Sequence, residues 1–275
     1  MFCPKCGNEI SEDPCSVCGY DRSRDYLCHP ALCPVISGVG TADPEAERLQ
    51  AMYETALAVE NSEVMSHAEF LAADLNSKVV IETYVQARQS WQDGMVSVHA
   101  QSPDGAYFLY YMACSEADYA KLVPGTKIKV TGYKSEWAGE VEITDATFEI
   151  ESGKYVAKAL DVTKLLGTDE LIKHQNEFVS FKGMTVEPIQ DADGKEAAFL
   201  YKWNGTGSEG DDLYFNASLN GETYSFTVES LFCDKDSAVY KAVKNLKIGD
   251  KIDLEGFLYW YEGVNPHVTA VSPAG

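Results

Sequence analysis

The sequence predicts a mainly β protein whose bulk is two small Greek-key β-barrels in tandem, and three observations predict it. From Lys78 onward the apolar residues change from helical to alternating spacing, as in Val79-Val80-Ile81-Glu82-Thr83-Tyr84-Val85 and Met95-Val96-Ser97-Val98-His99-Ala100. Turn residues such as Pro103-Asp104-Gly105 separate these runs. A block of the first half then recurs in the second. Leu122-Val-Pro-Gly125-Thr-Lys-Ile128-Lys-Val130-Thr-Gly132 matches Leu246-Lys-Ile-Gly249-Asp-Lys-Ile252-Asp-Leu254-Glu-Gly256 at a constant offset of 124 residues.

The elements follow in order along the 275 residues. Cys3-Pro-Lys-Cys6 and Cys15-Ser-Val-Cys18 are two CxxC pairs, each followed by a glycine. Each pair aims two thiolates at one point, and together they complete a tetrahedral shell with no open position, which predicts one structural Zn²⁺ held by Cys3, Cys6, Cys15 and Cys18. A unit of this size buries too little apolar surface to fold without the metal. The alternative is two disulfides in a secreted domain, but cysteines beginning at residue 3 leave no room for a signal peptide before them. The motif resembles the short N-terminal zinc ribbons of many bacterial proteins over residues 1–22. Residues 23–42 read as a flexible linker. Cys28, His29 and Cys33 lie there at a spacing that matches no zinc site, and an exposed disulfide or a redox-responsive pair is the other reading.

A short helical linker is expected over 43–74. Asp43 and Pro44 open one helix, with Leu49, Met52, Tyr53, Ala56 and Leu57 on its apolar face. Ser66 and Glu69 form a capping box for a second, with Phe70 and Leu71 facing inward. The first barrel spans 75–152, a connector 153–171 and the second barrel 172–275. The order strand, strand, strand, short helix, strand, strand is that of an OB-fold. Cys114 and Cys233 fall at matching places before the helix of each repeat and are expected to fill equivalent core holes. A polar insertion, Gln190 to Asp212, separates the first two strands of the second barrel, on the rim where OB-folds bind ligands. Residues 65–275 resemble bacterial tandem-OB proteins of unassigned activity in segments such as Tyr84-Val-Gln-Ala-Arg-Gln-Ser-Trp91 and Leu165-Leu-Gly-Thr-Asp-Glu-Leu171. Several of those look like anchored lipoproteins, so the resemblance implies the cell envelope as an alternative to the cytoplasmic location suggested by free-thiol cysteine usage and the absence of a signal.

The formal net charge is −21, and every segment is negative. Phosphate contacts depend on cations, so charge places nucleic acid behind a protein or small ligand as the partner of the OB faces. No apolar run approaches the roughly 20 residues of a membrane span. The five histidines form no ligand pair, and no nucleophile elbow or phosphate loop is present. Gly205-Thr206-Gly207-Ser208-Glu209-Gly210 lacks a following helix, and Asp211-Asp212 reads as solvated carboxylates. Aromatic residues remain: Trp91, Tyr107, Tyr110, Tyr111, Tyr133 and Trp137 in the first barrel, and Tyr201, Trp203, Tyr224, Tyr259, Trp260 and Tyr261 in the second. Half or more are expected in the core, while Phe257 to Tyr261 is dense enough for a contact surface. The sequence therefore points to a non-enzymatic binding or adaptor protein, with a single-stranded nucleic-acid binder as the alternative.

Overall fold

A computed structural model describes residues 64–275 of the chain. The zinc ligands Cys3, Cys6, Cys15 and Cys18, the linker with Cys28, His29 and Cys33, and the helix expected after Asp43 lie outside the described residues.

Helix α1 (His67–Ala72) starts at the expected capping box. The Glu69 amide donates to Ser66 Oγ at 3.3 Å, and the Ser66 amide donates to Glu69 Oε2 at 2.7 Å. Phe70 is buried, but Leu71 is 52% exposed, because successive helical residues point about 100° apart and Phe70 takes the core-facing position. Five strands follow: β1 (Lys78–Arg88), β2 (Met95–Ser102), β3 (Gly105–Ala113), β4 (Thr126–Trp137) and β5 (Glu140–Lys154), with α2 (Glu116–Tyr119) between β3 and β4. They close a barrel in the order β1-β2-β3-β5-β4, with β4 pairing back onto β1, which is the OB arrangement. Alternation sends Val79, Ile81, Val98, Leu109, Ile128 and Val130 into its core, each contributing roughly 1.5–3 kcal/mol by burial. Strand β5 runs unbroken past Ile143, where Asp145 takes φ 48° and the pairing with β4 shifts register between Thr131 and Tyr133.

Beyond β6 (Leu160–Asp161) come β7 (Phe178–Glu187), β8 (Ile189–Gln190), β9 (Glu196–Ala197), β10 (Leu200–Tyr201), β11 (Leu213–Leu219), β12 (Glu222–Val228), α3 (Ala238–Lys244), β13 (Lys251–Phe257) and β14 (His267–Pro273). The order β11-β12-β14-β13-β7, with β7 also pairing β11, repeats the cyclic order of the first barrel. Repeated residues do repeated work. Gly125 and Gly249 sit at φ 93° and 90°, and their amides donate to Val85 O at 2.7 Å and Val186 O at 2.8 Å. Gly132 and Gly256 lie where neighbouring chain crowds them. A Cβ on Gly256 would stand 2.2 Å from His267 O, and one on Gly132 would stand 2.9 Å from Thr144 O.

The outer face of β2 is closed by the second half of the chain. His99 points away from the first core and is fully buried, stacked on Phe257 at 4.3 Å and 3°, with Phe232 and Phe108 each at 4.8 Å. Both of its ring nitrogens lack a hydrogen-bond partner, so burial holds the imidazole neutral, well below its ordinary pKa. Glu140, also fully buried, accepts from the Trp260 amide at 2.8 Å and from Gln175 Nε2 at 3.1 Å. Burial pushes its carboxyl up to about 8. The Glu262 amide donates to Ala138 O at 2.7 Å, and the Phe178 amide donates to Gln101 Oε1 at 2.8 Å. The Trp260 and Glu262 bonds pin the loop after β13 onto the β4–β5 hairpin, and the Phe178 bond ties the start of β7 to β2.

Candidate ligand-binding groove

Strand alternation builds the floor of the principal groove. Leu213 and Phe215 of β11, and Phe226 and Val228 of β12, point into the core. Asp212, Tyr214, Ser225, Thr227 and Glu229 are therefore left on the opposite face. One wall comes from the segment joining β7 to β11, with Ile189 and Trp203. The other comes from the β13–β14 loop, with Tyr259, Tyr261 and Asn265, and from His267 at the start of β14, and Trp137 joins from the β4–β5 hairpin. The groove encloses about 640 Å³. Strands two and three with the flanking first and fourth loops are the usual ligand face of an OB-fold.

Short-range bonding sets the walls. In the β13–β14 loop, the Asn265 amide donates to Tyr259 O at 3.0 Å and the Tyr261 amide to Gly263 O at 2.8 Å. Thr227 Oγ1 donates to Asn265 Oδ1 at 2.8 Å, tying that loop to the floor. Trp137 and Tyr261 face one another at 5.1 Å, and the Tyr259 ring stacks on His267 at 4.1 Å. Asp212 Oδ1 accepts from the amide and hydroxyl of Ser230 at 2.8 and 2.6 Å. Glu229 Oε1 accepts from Gln89 Nε2, and its Oε2 lies 3.3 Å from His267 Nδ1. Burial, then the charges of Asp212 and Glu229, push the Tyr214 hydroxyl up to about 12. Burial, then Glu140, Glu142 and Glu229, push Tyr259 up as well. Neither phenol ionises near neutrality.

The lining thus combines exposed aromatic faces with two carboxylates and contains no lysine or arginine. Lys202, next to Trp203, lies 3.6 Å from Asp211. Such a surface can stack planar rings and accept hydrogen bonds. The expectation that half or more of the named aromatics are core is corrected. Tyr107 is fully buried, but Trp91, Tyr110, Tyr111, Tyr133, Trp137, Trp203 and Tyr261 are all exposed. Trp203, at 74%, is the most exposed large apolar residue described.

The other sequence candidates fare differently. Asp211 and Asp212 divide: Asp212 lines the groove, while Asp211 pairs with Lys202. Cys114 is buried and Cys233 half-buried, each against its own core, and burial raises both thiols above their ordinary range. Among the described residues, no three His, Cys, Asp or Glu gather as a metal site, and no helix is long and apolar enough to cross a membrane.

No protein family matches the chain, and no curated protein does. Solved structures do. The p204 HINb domain is 10% identical, with 74% of this chain and 99% of that one covered at TM-score 0.32. The Ifi202 HINa domain in complex with 20-bp double-stranded DNA is 12% identical, with 71% and 98% covered at TM-score 0.33. A deletion variant of the single-stranded DNA binding protein from Thermus aquaticus is 13% identical, with 74% and 95% covered at TM-score 0.23. Scores of this size assign no ligand to this chain. Its own strand order and groove make it an OB-like β-barrel protein with an aromatic-lined groove. The expectation that set nucleic acid behind protein or small-ligand partners is corrected, since the groove carries exposed rings on which bases can stack. Net charge was its only ground, and charge governs phosphate contacts, not stacking.

Proposed function

We propose that the protein is a non-enzymatic binder of single-stranded nucleic acid, which it holds by the bases in the groove of the second barrel. One observation carries this reading: Trp203, Trp137 and Tyr261 stand exposed around the strand-two and strand-three face of an OB-like barrel. Stacking on such rings contributes about 1–3 kcal/mol per base and tolerates any sequence. Asp212 and Glu229 repel phosphates, so the backbone faces solvent and the bases turn inward. Oligonucleotide binding to wild-type protein and to Trp203→Ala tests the reading.

The architecture belongs to the same proposal: an N-terminal zinc ribbon, a helical linker, and two OB-like barrels at 75–152 and 172–275. The repeated cyclic order of strand pairing supports the tandem arrangement. Cysteine spacing alone supports one structural zinc at Cys3, Cys6, Cys15 and Cys18.

A further inference from the structure

In a regular strand successive side chains alternate between faces, so two adjacent aromatics cannot both face outward. Tyr110 and Tyr111 on β3 do, at 41% and 38% exposure. A bulge makes this possible. The register between β2 and β3 slips between Val96 and Val98, and Tyr111 takes φ 42°, a conformation that bulky L-residues rarely adopt. The Tyr111 amide, turned out of the ladder, donates to Ser97 Oγ at 3.2 Å. Bulges of this kind re-aim side chains, and strain of this kind collects at functional positions.

The pair also lies beside the groove wall, joined to it through the buried ring of Phe108. Its rings meet at 4.5 Å, and Phe108 bridges it to the groove wall, 6.3 Å from Tyr110 and 5.4 Å from Tyr259. In the first barrel β3 holds the place that β12, part of the groove floor, holds in the second.

We infer that Tyr110 and Tyr111 form a second stacking subsite, so that one nucleic-acid strand runs from the groove across β3 of the first barrel. This rests on the reading of the groove as a single-strand site. The experiment measures affinity for unstructured DNA strands of 6 and 20 nucleotides, using the full chain. Tyr110→Ala and Tyr111→Gly should each weaken binding of the 20-mer by about tenfold and leave the 6-mer unchanged. Trp203→Ala should weaken both. Tyr111→Gly should also melt no lower than wild type, because glycine accepts the positive φ, so its loss of affinity could not be ascribed to unfolding. Equal affinity of wild type and both tyrosine variants for the 20-mer would overturn the second subsite while leaving the groove intact. Failure of wild type to bind either strand would overturn both.

Discussion

Trp137 and Tyr261 belong to different repeats yet face one another at 5.1 Å, across the seam between the β4–β5 hairpin and the β13–β14 loop. The contact follows from hydrogen bonds on either side of it, Glu262 N–H to Ala138 O at 2.7 Å and Trp260 N–H to the Glu140 carboxyl Oε2 at 2.8 Å. The groove wall therefore depends on the seam.

The seam titrates. At neutral pH Glu140 is protonated in the fold, whereas in the unfolded chain it ionises near its ordinary 4.5. Unfolding then releases a proton, so this group weakens the fold as pH rises from about 4.5 to about 8, by at most about 1.4 kcal/mol per unit. His99 acts in the opposite sense. It stays neutral when folded and takes up a proton when unfolded below about 6.5, so its share of stability is lost as pH falls below that value. The two slopes oppose each other between about 4.5 and 6.5, and of the two groups only Glu140 acts above that window. Urea midpoints should show Glu140→Gln flattening the decline between pH 6.5 and 8. His99→Phe should gain more at pH 5 than at pH 8.

Crowding makes two glycines of the repeat unequal. Gly256→Ala drives a methyl into the His267 carbonyl and should cost about 3 kcal/mol or more. Gly249→Ala meets nothing within 4 Å and should cost only the positive-φ penalty, about 1–2 kcal/mol. Thermal melts of the two variants should rank them in that order.

Salt dependence separates stacking from phosphate binding. A single strand loses roughly 0.7 in the log–log slope for each phosphate neutralised. A groove without lysine or arginine should give a slope shallower than about −1 between 50 and 300 mM salt. A steep slope would place the strand on some basic surface outside the groove.

Metal content addresses the proposed ribbon. Protein purified without chelator should carry one zinc per chain, and Cys6→Ser or Cys15→Ser should lose it. Two disulfides with no zinc would contradict the ribbon.

Much of the scaffold was legible because its signals are local. The strands, the Ser66–Glu69 box, the Gly125 and Gly249 turns and the position of the 190–212 insertion follow from periodicity, capping and repetition. The site was less legible because it depends on distant pairings. Alternation sets His99 on the outer face of β2, yet Phe232 and Phe257 bury it from more than a hundred residues away. Glu140 looks like a hairpin carboxylate until Trp260 and Gln175 close over it. A bulge at Tyr111 breaks the period used to sort aromatics into core and surface. Net charge reflects the sum of ionised groups, whereas the groove offers rings instead of cations.

The most direct measurement is fluorescence anisotropy of a labelled, unstructured single-stranded DNA titrated with wild type and Trp203→Ala at 150 mM salt. Trp203 is 74% exposed, so its removal should leave the melting temperature unchanged. Wild type should bind saturably, and Trp203→Ala should bind tenfold or more weakly, about 1.4 kcal/mol or more of lost stacking. Equal affinity in the two proteins, or no binding by wild type, would contradict the proposed function.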